Sequence, residues 1–237
     1  MRKGRDSVGT REPVTTIDQV FEEFLADQKA RLRPNTYRRY DDILDLFRSC
    51  LERYWPGHSQ EEYERITAKG GTFCGTFGPE EITGGLGEFL GYFMPHKVIA
   101  GKETMKAAGT VTKKLVKWLA EKGYMKDAEA LAMAEERAGE AARDLPAACD
   151  VVDLLEAYVD MHAPARYSRD IEDHFTVTRI EPGKLWLEPF TSGDREIGPV
   201  PVPREVTCRC QVGWEISGVV GKTSKGWRLL EVWKVSP

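Results

Sequence analysis

The sequence predicts an α+β protein of two domains: an N-terminal bundle of four helices, a helical linker, and a small β-barrel at the C-terminus. Three observations lead there. Over residues 15–125 apolar side chains recur at helical spacing in four separate stretches; residues 126–165 are rich in Ala and Glu; after Pro164 short β-branched and aromatic runs alternate with Pro, Gly and Ser. A chain of 237 residues, 41% of them hydrophobic, has enough apolar material for such cores.

Residues 1–14 hold Arg2, Lys3, Arg5 and Arg11 without apolar periodicity and read as a flexible basic arm. Thr16, with Gln19 three residues later, forms a capping box for a first helix whose stripe is Ile17, Val20, Phe21, Phe24 and Leu25. Pro34-Asn35-Thr36 restarts the chain as a second helix with Tyr37, Tyr40, Leu44, Phe47, Leu51 and Tyr54 on one face, and Trp55-Pro56-Gly57 ends it. A short helix over Gln60–Ala68 and the loop GGTFCGTFG follow. Pro79 opens a third stripe, Ile82, Leu86, Phe89, Leu90 and Phe93, weakened by Gly84, Gly85 and Gly87. The fourth helix runs from about Lys102 to Lys122 and stops at Gly123. In the linker two helical segments are expected, split near Pro146. Strands are expected over His174–Ile180, Gly183–Phe190, Glu205–Val212, Glu215–Val220 and Lys225–Val235, with GPVPVP as punctuation. Five or six short strands in residues 166–237 suit a small barrel, OB-like or similar.

The balance of 34 Lys+Arg against 38 Asp+Glu argues against a uniformly basic chain that coats nucleic acid. The distribution is more permissive. Residues 1–125 carry a net +2, residues 126–165 a net −7, and residues 166–237 a net +1. Nearly all the acidity is therefore in the linker, and basic patches have room on either side. No apolar run approaches a membrane span, and the charged start lacks a signal sequence, so a cytoplasmic protein without a membrane partner is expected. Five cysteines without regular spacing fit a reducing compartment rather than a disulfide framework. Nothing indicates an oligomeric state.

At about 100° per residue, Lys102, Lys106, Lys113 and Lys117 share a strip about 60° wide along the fourth helix, with Thr110 beside them. Ala107, Trp118, Val111, Leu115, Ala108 and Leu119 face the other way. Such a row suits phosphate contacts, and it also suits a plain solvated face. The second helix starts with RLRPNTYRR, which sets Arg31, Arg33, Arg38 and Arg39 beside Asn35 and Thr36 at a helix N-terminus. Beyond it Asp41, Asp42, Asp45 and Glu52 would repel a DNA groove.

Residues 15–125 resemble the N-terminal core-binding (SAM-like) domain of tyrosine recombinases and phage integrases. The resemblance rests on TIDQVFEEFLADQ, on LRPNTYRRYDDILDLFRSCLERY, and on GPEEITGGLGEFLGYFM followed by a helix ending LVKWLAEKGYM. It implies half of a clamp around DNA, with the second and fourth helices against the major groove. By position it implicates Arg33, Asn35, Thr36, Arg38 and Arg39, and also Lys102, Lys106, Thr110, Lys113 and Lys117. The recombinase chemistry needs a catalytic domain with an H-x-x-R element. The residues three beyond His58, His96, His162 and His174 are Glu61, Ile99, Ala165 and Val177, so that element is missing. No catalytic residue, cofactor or metal is expected.

Gly221-Lys222-Thr223 lacks the first glycine of a P-loop and reads as a hairpin turn. Cys208 and Cys210 would point the same way from one strand as two small buried residues. Trp186, Trp214, Trp227 and Trp233, interspersed with basic residues, form a candidate aromatic ligand face on the barrel, for single-stranded nucleic acid or a protein partner. Burial in the core is the competing role for each. Together these readings lead to a non-catalytic DNA-binding protein, an accessory factor of a mobile element by resemblance. The alternative is a protein-interaction adaptor that has kept the helical fold and lost DNA binding.

Overall fold

A computed structural model describes residues 15–54, 60–193 and 195–237. The basic arm, the Trp55-Pro56-Gly57 break, His58 and Asp194 of the expected turn lie outside them. Among the described residues seven α-helices precede the sheet: α1 (Ile17–Lys29), α2 (Pro34–Tyr54), α3 (Gln60–Thr67), α4 (Glu80–Glu88), α5 (Met94–Lys97), α6 (Lys102–Glu121) and α7 (Ala128–His162). The capping box forms: the Gln19 N–H donates to Thr16 Oγ1 at 3.4 Å, and the Thr16 N–H to Gln19 Oε1 at 3.0 Å. Two expectations are corrected. The third stripe is interrupted by a π-helical turn over Phe89–Phe93. Pro95 lacks an N–H, and its ring would strike the Gly91 carbonyl in a regular α-turn; a wider turn just before it relieves both. The linker is one helix of 35 residues that runs straight through Pro146.

The chain divides into two compact units, one of the described residues up to Phe89 with Lys114–Ala134, the other of Leu90–Lys113 and Glu135–Pro237. The expected boundary near residue 125 is thus replaced, because α6 and α7 each begin in one unit and end in the other.

In the first unit, Val20, Phe21 and Phe24 of α1, Leu44 and Phe47 of α2, Leu86 of α4 and Leu115 and Leu119 of α6 are fully buried. Phe47 stacks on Phe89 at 4.6 Å and touches Phe21 at 5.8 Å, while Trp118 meets Phe24 edge-on at 5.4 Å. The end of α6 is fastened to α1 by polar groups. The Trp118 indole N–H donates to Asp27 at 2.9 Å and the Tyr124 hydroxyl to Glu23 at 2.6 Å. Lys122 reaches both carboxylates, at 2.9 and 3.1 Å. Hydrogen bonds, led by Trp118 for Asp27 and by Tyr124 for Glu23, hold both acids below their usual range. The GGTFCGTFG loop serves the start of α1: the N–H groups of Ile17 and Asp18, orphans of a helix N-terminus, donate to the Phe77 and Cys74 carbonyls at 2.9 and 3.0 Å. Glu52 fixes that loop by accepting from the Phe73 and Cys74 N–H groups, both at 2.8 Å.

The second unit is built on β1 (Arg169–Glu181), β2 (Lys184–Pro189), β3 (Ile197–Pro201), β4 (Glu215–Thr223) and β5 (Gly226–Ser236), with the short helix α8 (Arg204–Thr207) between β3 and β4. All neighbours are antiparallel in the order β3-β2-β1-β4-β5. The sheet curls until β3 lies near β5, without ladder bonds between them, so the small barrel expected here is a half-barrel. GPVPVP supplies the edge strand β3, where a proline's missing N–H is tolerated. The strand expected over Glu205–Val212 is instead α8 and turns, which leaves Cys208 exposed and Cys210 buried. Burial pushes the Cys210 thiol up to about 12. Gly221-Lys222-Thr223 ends β4, and the hairpin turn itself is Ser224-Lys225.

Val151, Leu155 and Val159 of α7 are buried in one core with Phe175, Leu185, Ile216 and Val220 of the sheet. The acidic segment expected as a linker is therefore a structural wall of the half-barrel. That burial offsets a helix-interior proline costing roughly 3 kcal/mol. Strand β5 explains why alternation could not identify its inner face. Gly218 pairs with Val232 where Ser217 pairs with Lys234, and Val220 with Leu229 where Val219 pairs with Glu231, so Trp233 and Leu230 are extra residues in two bulges. Every third residue, Leu229, Val232 and Val235, is buried as a result. Gly218 makes room, since a Cβ there would stand 2.2 Å from the Glu231 carbonyl oxygen.

Asp173, only 7% exposed, ties β1 to the loop after β2. Its carboxylate accepts from the N–H groups of His174 (2.8 Å), Thr191 (2.8 Å) and Ser192 (3.0 Å) and from the Thr191 hydroxyl (2.9 Å). Burial pushes its pKa up, but these four donors outweigh it and leave the acid below its ordinary 3.8. The stabilisation is thus complete above the unfolded value and is lost as pH falls through the lower folded value. Asp173→Ala should cost about 2–4 kcal/mol at pH 7 by leaving buried donors unpaired. Urea midpoints should show this, with the gap to the wild type narrowing as pH falls below the ordinary carboxylate value of 3.8.

Candidate nucleic-acid interface

The lysine strip lies on α6, whose regular spacing brings Lys102, Lys106, Thr110, Lys113 and Lys117 to the surface; all five are exposed. The buried arc of α6 is wider than the sequence suggested. It includes Met105, Gly109, Thr112 and Val116, and in the second unit α7 lies against Gly109. An added Cβ on Gly109 would lie 2.3 Å from the Ala142 backbone nitrogen, so the two helices meet backbone to backbone. The strip keeps only the remaining exposed arc, with Glu103 and Glu121 at its margin.

Two members are already engaged. Lys102 Nζ sits 2.6 Å from Asp150 of α7, and Asp150 also has Arg209 at 4.0 Å. The Thr110 hydroxyl donates to the Lys106 carbonyl oxygen at 2.9 Å. Asp150 was invisible as a partner in the sequence, since 48 residues separate it from Lys102.

The start of α2 forms a separate basic group in the first unit. Arg33, Asn35, Thr36, Arg38 and Arg39 are all exposed, and the first turn holds no acid. Proline stands at the first helical position, and the Tyr37 N–H makes the opening helical bond to the Arg33 carbonyl at 2.9 Å. The acidic body of α2 is less free than its sequence implies. Glu52 is turned to the loop, and Asp45 is paired with Arg48 at 2.7 Å. Lys117 belongs to the first unit with the α2 group, whereas Lys102, Lys106, Thr110 and Lys113 belong to the second.

The four tryptophans do not make one ligand face. Trp214, 4% exposed, is core. Trp186 on β2 carries the Arg179 guanidinium 4.1 Å from its ring centroid, and Gly198 passes so close that a Cβ would stand 2.6 Å from the ring. Trp227, packed against the core, has Lys222 at 4.9 Å. Only Trp233, bulged out of β5, is well exposed, at 49%. Among the described residues no group of three His, Cys, Asp or Glu is placed to hold a metal ion, and no helix is long and apolar enough to cross a membrane.

No known protein family, curated protein or solved structure matches the chain.

Proposed function

We propose that this protein binds DNA without catalysing a reaction on it, using the lysine face of α6 as its main surface and the start of α2 as a second contact. The observation that supports this best is the row Lys106, Thr110, Lys113 and Lys117, exposed along one face of a regular helix. Phosphate contacts from such a row are independent of base sequence and release counterions. The resemblance of residues 15–125 to the recombinase core-binding domain points to the same two helices, and to a setting as an accessory factor of a mobile element.

Binding of the full chain to duplex DNA should weaken steeply with salt. The triple variant K106E/K113E/K117E should lower the slope of log K against log salt by about 3, since each lost phosphate contact contributes about 0.9. Salt-independent binding, or an unchanged slope in the variant, would exclude α6 as the surface. A second reading, a protein-interaction adaptor, is favoured by one observation: Asp150 already neutralises Lys102. On that reading the triple variant changes no DNA affinity, because there is none to change.

A further inference from the structure

The second unit contains a cavity of about 460 Å³ that shares only Lys102 with the α6 lysine strip. Its volume falls within the range of small-molecule sites, roughly 300–1,000 Å³. It lies between the α5–α6 connection, the middle of α7 and the end of β5. Met105, Leu145 and Val152 form apolar walls, and Ile99 and Trp233 stand at its rim. Both rim residues are exposed, Ile99 fully, so large apolar side chains face water around a concave apolar surface.

The charges lining the cavity are unevenly satisfied. Near Cys149, Lys102 is already paired with Asp150, with Asp153 beside them. The β5 end carries Lys234, with His96 on the wall and Lys97 close by; the Glu215 carboxylate also acts on Lys234. Lys234 is partly buried and has no ion pair among the described residues. Loss of water and then the Lys97 charge push its pKa down, and the Glu215 carboxylate offsets only part of that.

We propose that this cavity binds a small amphipathic monoanion, an acyl or aryl carboxylate, with its apolar body against Met105, Leu145 and Val152 and its anionic group at Lys234. A ligand there replaces the water around Lys234 with a fixed opposite charge and covers the apolar rim. The site is independent of the DNA reading: its residues, apart from Lys102 at the margin, take no part in the α6 surface.

Decanoate is a suitable probe, with decanol and decyltrimethylammonium as neutral and cationic controls of equal chain length. Cys149 lines the cavity and reports occupancy by its protection from a maleimide; Cys208→Ser removes the exposed competing thiol. In the full C208S chain, decanoate should slow Cys149 labelling in a saturable way, decanol should do so at least tenfold more weakly, and the cation should not. Adding K234Q should weaken decanoate protection at least tenfold, and V152W should abolish it, with circular dichroism confirming that each variant is folded. K234Q lies on a partly exposed strand position and decides the matter even if V152W misfolds. No protection by decanoate up to about 1 mM overturns the proposal, a concentration matching only about −4 kcal/mol of binding. Equal protection by the cation, or undiminished protection in K234Q, overturns it as well.

Discussion

Phe47→Ala should remove about 3–5 kcal/mol from the stability of the first unit, the range for truncating a fully buried aromatic ring. Phe47 is 0% exposed and joins three helical segments: its ring stacks on Phe89 at 4.6 Å, meets Phe21 at 5.8 Å, and has Gly85 against its edge. Neighbouring rings cannot readily refill the space. Phe21 is held from outside by the Arg48 guanidinium, 5.4 Å from its centroid, and Arg48 is fixed in turn by Asp18 at 3.0 Å. Collapse around the void is therefore limited, which favours the upper part of the range. Urea denaturation followed at Trp118, packed in the same core, is the direct measurement. A loss below about 1 kcal/mol would mean that the ring cluster does not hold this unit together.

Gly109→Ala sets two effects of opposite sign against each other. In a helix interior alanine is better than glycine by about 1 kcal/mol. At this position, however, the new Cβ would stand 2.3 Å from the Ala142 nitrogen and 2.4 Å from its Cα, and these are backbone atoms that no rotamer change can move aside. Forcing α6 and α7 apart should cost about 2–3 kcal/mol and occasionally more, so the net change is destabilising. Gly139→Ala is the control. Its Cβ would meet only the Lys113 ammonium at 3.9 Å, so the same exchange should stabilise by roughly 0.5–1 kcal/mol. Thermal melts of the pair should move in opposite directions. Equal shifts would show that helix propensity, not helix contact, governs both sites.

The helices were legible because their signals are local. The Thr16–Gln19 box, the Pro34 start and the stripes of α1, α2 and α6 each lie within a few residues of one another. What was hidden depends on partners far along the chain. Pro146 reads as a break until its helix is seen to fill the half-barrel, and GPVPVP reads as a turn until it is seen to occupy a sheet edge. The inner face of β5 stayed ambiguous because two bulges replace a period of two by a period of three. The candidate surface divides the same way. Lysines on one helix declare their common face through spacing alone, whereas the Lys102–Asp150 pair and the Glu52 clasp on the loop exist only once distant segments meet. The aromatic face failed for that reason too: Trp214 and Trp233 differ in burial through sheet geometry, not through neighbouring residues.

The passage of α6 and α7 through both units bears on how the protein is made. The first unit needs Lys114–Ala134, which leave the ribosome only after Leu90–Lys113 of the second unit. Asp27 thus waits 91 residues for Trp118, on the order of ten seconds at ordinary synthesis rates. For that interval Phe24 lacks the Trp118 ring that meets it edge-on at 5.4 Å, and the nascent chain presents an aromatic side chain that the finished unit buries completely.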